Sequence, residues 1–176
     1  MSKRRIYKCK GLDSNLRRKL ENEGYELIWG RNLEGKMEYY YFRPYFHESA
    51  RHAILVYEVA EYLRQFTKKV KEYLTVRPDI IFEVAQKKYA IEIETGVTLK
   101  KNKRQLMAKV KSLREDFGRS WFFVVTNRNL VRTYKRYGKT LSKRNVRSKI
   151  NKILAKEGIV QSNMTGRDDN MPEAYY

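Results

Sequence analysis

The chain has 176 residues, with 39 Lys and Arg against 20 Asp and Glu, a formal charge of +19, and 41% hydrophobic residues, enough for one compact core. The single cysteine, Cys9, excludes an internal disulfide and cysteine-rich metal knuckles, and the longest apolar run, Trp121–Val125, falls far short of the roughly 20 residues that span a bilayer. The charge is concentrated: residues 97–159 carry nineteen basic and three acidic side chains, so a polyanion is the expected partner, nucleic acid first. A membrane-surface protein would gather such charge on one amphipathic helix, whereas here it spans more than sixty residues. The opening Met1-Ser-Lys-Arg-Arg leads into no apolar signal region, and a soluble, cytoplasmic protein is expected.

Residues 13–23 open with capping residues, set Leu16 and Leu20 one turn apart and meet Gly24, which predicts a short helix. Residues 25–29 and 37–42 are aromatic and β-branched runs joined by a loop with two glycines, and they predict a hairpin with a basic tip at Arg31 and Lys36. A helix followed by such a hairpin resembles the second half of a winged helix; an ordinary hairpin packed on the main domain explains the same pattern. Residues 48–74 keep apolar positions at three- and four-residue intervals and predict one long helix, ended by Arg77-Pro78. Two strands, 80–84 and 89–95, follow around a turn at 85–88, and after Gly96 the positions Leu106, Met107, Val110, Leu113 and Phe117 mark a helix with a basic outer face. The apolar run 121–126 predicts the central strand of a sheet. Residues 127–137 and 143–156 predict two more helices, and the polar stretch 161–176 predicts a disordered tail. The resulting organisation is a helix-hairpin appendage at 1–45, a core at 46–160 and the tail.

Three carboxylates stand out. A turn centred between Gln86 and Lys87 would set Asp79 opposite Glu94, on the face that Glu92 shares. Like charges so arranged repel one another unless the face is well hydrated or a hard divalent cation such as Mg²⁺ or Mn²⁺ sits among them. A solvated hairpin face and a metal site both satisfy this pattern.

The run Arg77-Pro-Asp-Ile80, then Ile91-Glu-Ile-Glu-Thr-Gly96 and a basic helix, resembles the PD-(D/E)XK nuclease superfamily, and the order of elements agrees. The resemblance implies an α/β (α+β) fold with a restriction-endonuclease-like core of helix, strands, helix, strand and helix. It implies Asp79 and Glu92 as metal ligands, Glu94 in the position usually held by lysine, and Glu58 or Glu61 as an assisting acid on the preceding helix. The missing lysine implies either that Lys100, Lys101, Lys103 or Lys109 reaches in from the next helix, or that the nuclease is dead. A narrower pattern, Tyr39-Tyr-Tyr-Phe-Arg-Pro44, His52, Pro78-Asp79 and Glu-x-Glu, resembles the plasmid replication-relaxation (mobilisation accessory) family over residues 12–117. There too an acidic residue stands at the lysine position.

Other signals carry less. His47 and His52 stand five apart, not at the i, i+4 spacing of zinc-protease histidines, so a structural or phosphate-contacting role is expected for them. Tyr39, Tyr40 and Tyr41 read as strand residues, since the His-x-His pair of a tyrosine relaxase is missing. Gly96 and Gly118 stand alone, so no nucleotide cofactor is expected. The expected function is a Mg²⁺- or Mn²⁺-dependent DNA endonuclease; the alternative is a catalytically silent DNA-binding accessory protein of a plasmid, virus or mobile element. Duplex or branched DNA would be held by Arg31, Lys36, Lys100, Lys101, Lys103, Arg104, Lys143, Arg144 and Arg147. A homodimer, and contact with plasmid or phage replication or mobilisation proteins, are compatible with either reading.

Overall fold

The computed structural model describes residues 5–44, 48–73 and 77–159, except for the side chains of Lys100 and Lys101; His47, Leu74 and the expected tail at 161–176 lie outside the described residues. The chain is a mixed α+β protein with two sheets. The first is antiparallel, with β1 (Ile6–Lys8), β2 (Glu26–Arg31) and β3 (Met37–Phe42) in the order β1-β3-β2. Helix α1 (Ser14–Asn22) lies between β1 and β2; the Asp13 carboxylate caps it by accepting from Leu16 N–H at 2.8 Å, and Gly24 turns the chain beyond it with φ +80°.

Helix α2 (Ala50–Arg64) follows, capped by Ser49, and it is buried on two sides. Leu55, Val56, Val59, Ala60 and Leu63 join the core of the second sheet, while Ala53, Ile54 and Tyr57 pack with Ile6, Tyr40 and Phe42 of the first. The contact is close, because a Cβ on Gly30 of β2 would fall 2.5 Å from Ile54 Cδ1. The hairpin tip also reaches the far end of the chain, where Arg147 pairs with Glu34 at 3.1 Å. Residues 5–44 are therefore packed onto α2 and tied to the C-terminal helix.

The second sheet has five strands in the order β4-β5-β6-β7-β8. Antiparallel β4 (Val70–Glu72), β5 (Ile80–Val84) and β6 (Lys87–Glu94) are followed by α3 (Val97–Lys101) and α4 (Lys103–Phe117). Then come β7 (Trp121–Val125), α5 (Leu130–Tyr134), β8 (Thr140–Ser142), one 3-10 turn (Lys143–Asn145) and α6 (Val146–Lys156), with β7 parallel to both β6 and β8. Helices α2 and α6 cover one face and α4 and α5 the other, so every residue of β7 is buried. No described helix is long and apolar enough to cross a membrane.

Three expectations are corrected. The helix expected over 48–74 stops at Arg64, because Thr67 donates its hydroxyl to Glu83 O at 2.9 Å and the chain re-enters as edge strand β4, pairing Val70 with Phe82. The middle of the sheet is β6, with β7 beside it. The β5–β6 turn is the two-residue Ala85-Gln86, both at positive φ (47° and 64°), so Val84 faces Lys87 and Ile80 faces Ile91. Asp79 therefore comes level with Glu92, not Glu94. A shift of two residues preserves the face, so all three carboxylates still point the same way.

On the outer face of the first sheet, α1 covers Tyr25 and Tyr41 but leaves Leu27, Trp29, Met37 and Tyr39 exposed, with Trp29 at 69%. The other tryptophan, Trp121, is 6% exposed, and a Cβ on Gly138 would fall 2.3 Å from its ring.

Candidate functional site

Asp79, Glu92 and Glu94 are all buried, although carboxylates are seldom buried without partners. Their partners come from four elements. Asp79 closes the entry to β5; its Oδ2 accepts from Ile93 N–H at 2.7 Å and its Oδ1 lies 3.3 Å from His52 Nε2. His52 stands in the first turn of α2, and its Nδ1 is 2.9 Å from Glu48 Oε1, while Glu48 also pairs with Arg5. Burial alone would lower the imidazole pKa, but the hydrogen bonds and charges of Asp79 and Glu48 overcome it and hold the pKa up at about 10. The ring is thus an imidazolium at neutral pH, donating to a carboxylate from each nitrogen.

Glu92 projects from the middle of the sheet towards α4, where Lys109 Nζ donates to its Oε1. Its Oε2 is buried and, among the described residues, has no hydrogen-bond partner. Burial first, then the Asp79 charge, push the Glu92 carboxyl well above the usual carboxylate range, against the pull of Lys109. The Lys109 ammonium is itself held up, because the charges of Glu92 and Asp79 outweigh its burial. Glu94 sits two residues on; Tyr134 of α5 donates to its Oε2 at 2.8 Å, and burial raises its pKa despite that bond.

Of the lysines expected to replace the missing one, Lys109 is placed against a site carboxylate and the Lys103 side chain is exposed at the start of α4, while the side chains of Lys100 and Lys101 lie outside the described residues. Glu58 and Glu61, expected as assisting acids, are engaged with partners of their own. Glu58 accepts from Tyr40 OH at 3.0 Å and Leu33 N–H at 3.3 Å, which ties α2 to the hairpin, and Glu61 pairs with Arg64 at 2.6 Å. They lie on the faces of α2 that serve the hairpin and β4, one or more turns beyond His52. His52, expected in a structural or phosphate-contacting role, instead holds Asp79, and Tyr134 carried no sequence signal because its acidic partner Glu94 lies forty residues away along the chain.

The residues expected to hold DNA divide into two groups. Arg31 donates to Gly35 O at 2.9 Å, Lys36 pairs with Glu34 at 3.3 Å, Lys143 donates to Arg31 O, and Arg147 reaches Glu34 while lying 4.8 Å over the Tyr62 ring. Lys143 and Arg147 thus join the C-terminal segment to the hairpin tip, while the side-chain bonds of Arg31 and Lys36 stay within the tip. Lys103, Arg104 and Arg144 are exposed to solvent.

Among the described residues, no three His, Cys, Asp or Glu side chains stand ready-made as a metal-ligand group. Mg²⁺ needs less than that, since it is held by one or two carboxylates and keeps several waters. Asp79 and Glu92, the latter with its unpartnered Oε2, fit such a cation in number and kind. The chain matches no family model, no curated protein and no solved structure.

Proposed function

We propose that the chain binds DNA and hydrolyses its phosphodiester bonds at a PD-(D/E)XK-type site in which Asp79 and Glu92 hold Mg²⁺ or Mn²⁺. The observation that carries the reading is Glu92 Oε2, a buried carboxylate oxygen without a partner, beside a second carboxylate and an ammonium. Leaving such an atom unsatisfied costs on the order of 1–3 kcal/mol, which a bound cation would recover. The order of α2, the β5–β6 hairpin, α4 and parallel β7 supports a restriction-endonuclease-like core. Lys109 takes the role of the missing lysine, offering its ammonium to charge developing on phosphoryl oxygens. His52 fixes the Asp79 carboxylate, and Tyr134 fixes Glu94. When bound, the cation supplies a polarised water as nucleophile.

One observation favours a second reading, the silent DNA-binding accessory. Both Asp79 oxygens and one oxygen each of Glu92 and Glu94 already have protein partners, so the site is largely self-neutralised. Cleavage of supercoiled plasmid in Mn²⁺ decides between them. For the nuclease, Asp79→Asn and Glu92→Gln abolish nicking and leave DNA affinity within about twofold. A wild-type chain that is stabilised by Mn²⁺ yet never cleaves is the silent relative. A chain indifferent to Mn²⁺ in both assays has no metal site.

A further inference from the structure

An open groove of about 770 Å³ runs between α5 and the segment that leads from β8 into the 3-10 turn. Arg128, Arg132, Lys135 and Lys139 line it together with Thr140 and Ser142, and no carboxylate does. Among the described residues, no Asp or Glu pairs with any of these four cations, whereas Arg147, Lys143 and Lys36 are all engaged. A further ammonium, that of Lys149, stands against Lys139. Burial, a contact with Lys139, and the charges of Lys156 and Lys152 draw Lys149 down to about 8. Cations gathered without counter-charge repel one another in the free protein, and an anion laid among them removes that cost.

The groove also borders the carboxylate site. Helix α5 carries the groove cation Arg132 and the Tyr134 that holds Glu94, and Lys135 caps its C-terminal end. Across the sheet, Ser142 pairs with Val125 and Val125 with Glu94, so the three residues form one row over three strands. Two strand spacings of about 4.8 Å set the groove wall roughly 10 Å from the Glu94 backbone.

We propose that this groove seats the phosphodiester backbone of a nucleic-acid strand and delivers that strand to the Asp79–Glu92–Glu94 face. The proposal rests on the nucleic-acid reading given above and adds where the polymer lies. The hairpin tip and Lys143 then serve packing, and the groove supplies the phosphate contacts.

The test is filter binding of a 20-nucleotide single strand and its duplex over a range of salt. It compares the wild-type chain with the variant Arg128→Gln, Arg132→Gln, Lys135→Gln, Lys139→Gln and with a control of equal charge, Lys10→Gln, Arg18→Gln, Lys19→Gln, Arg119→Gln. The two groove pairs, Arg128 with Arg132 and Lys135 with Lys139, are also changed separately, so that a folding defect in the fourfold variant leaves a readable result. Each phosphate contact contributes about 0.7 to the salt slope for a single strand, so the fourfold variant loses about 3 in slope and on the order of a hundredfold in affinity. The control should change little. Wild-type binding with the groove variant unchanged in slope, or the control losing as much, overturns the groove and leaves the nucleic-acid reading standing. A wild-type chain that binds neither strand nor duplex at low salt overturns that reading and the groove with it.

Discussion

Lys109 neutralises Glu92 from one side only, and the other carboxylate oxygen stays unpartnered. Removing one member of a buried pair leaves the other charge without compensation, at about 3–5 kcal/mol for a fully buried pair and less where one member keeps some exposure, as Lys109 does. Lys109→Ala should therefore lower unfolding free energy by about 2–4 kcal/mol in urea denaturation. The double variant Lys109→Ala with Glu92→Gln should recover most of that loss, since it removes both charges together. Equal losses in the single and double variants would mean that the ammonium stem, not its charge, holds α4 against the sheet. The same residues mark what the sequence disclosed at this scale. Asp79, Glu92 and Glu94 lie within one hairpin, so period-two alternation placed them on one face even with the turn displaced by a residue. His52 and Tyr134 come from helices packed on opposite faces of the sheet, and no local pattern links them to their acids.

Among the elements, those with a physical stop signal at each end were legible. Asp13 and Gly24 bound α1, and the unbroken apolar run is β7. The strands that escaped are β1, β4 and β8, each of three residues, too short for alternation to register and each at a sheet edge. The β5–β6 turn lacks the glycine or asparagine usual at positive φ, which is why its centre was misplaced. Helix α6 carries a consequence of its own, because Lys149 faces Lys139 from the approach to β8 and has Lys152 and Lys156 beside it on the same helix. Its pKa is about 8 in the fold against 10.5 for an ordinary lysine. Between those values the unfolded chain binds the extra proton, so stability from this group rises with pH; the cost of its charge is present in full below pH 8. Lys149→Gln should accordingly melt higher than wild type at pH 7, with the difference shrinking towards pH 10. A difference that does not change with pH would show that Lys149 is not the titrating group.

For the molecule as a whole, α2 is the joint between the two sheets, since it buries Ala53, Ile54 and Tyr57 against the first and five further side chains against the second. An appendage made of residues 1–45 could be removed without harm to the core. Packed as it is, its removal exposes those three side chains, at roughly 1.5–3 kcal/mol for each of the two large ones, out of a total stability of about 5–15 kcal/mol. Deleting residues 1–44 should lower the melting temperature markedly or abolish cooperative unfolding in differential scanning calorimetry. A truncated chain that melts sharply within a few degrees of the full chain would make the first sheet an independent unit. The two tryptophans turn this architecture into a two-colour optical report. Trp29 stands in water on the hairpin, and Trp121 lies sealed against Gly138 in the second sheet. A solvated indole emits to the red and yields to acrylamide quenching, while an enclosed one emits to the blue and resists it. The protein thus carries, without any label, one light source on each of its sheets, and the order in which they change colour records which sheet lets go first.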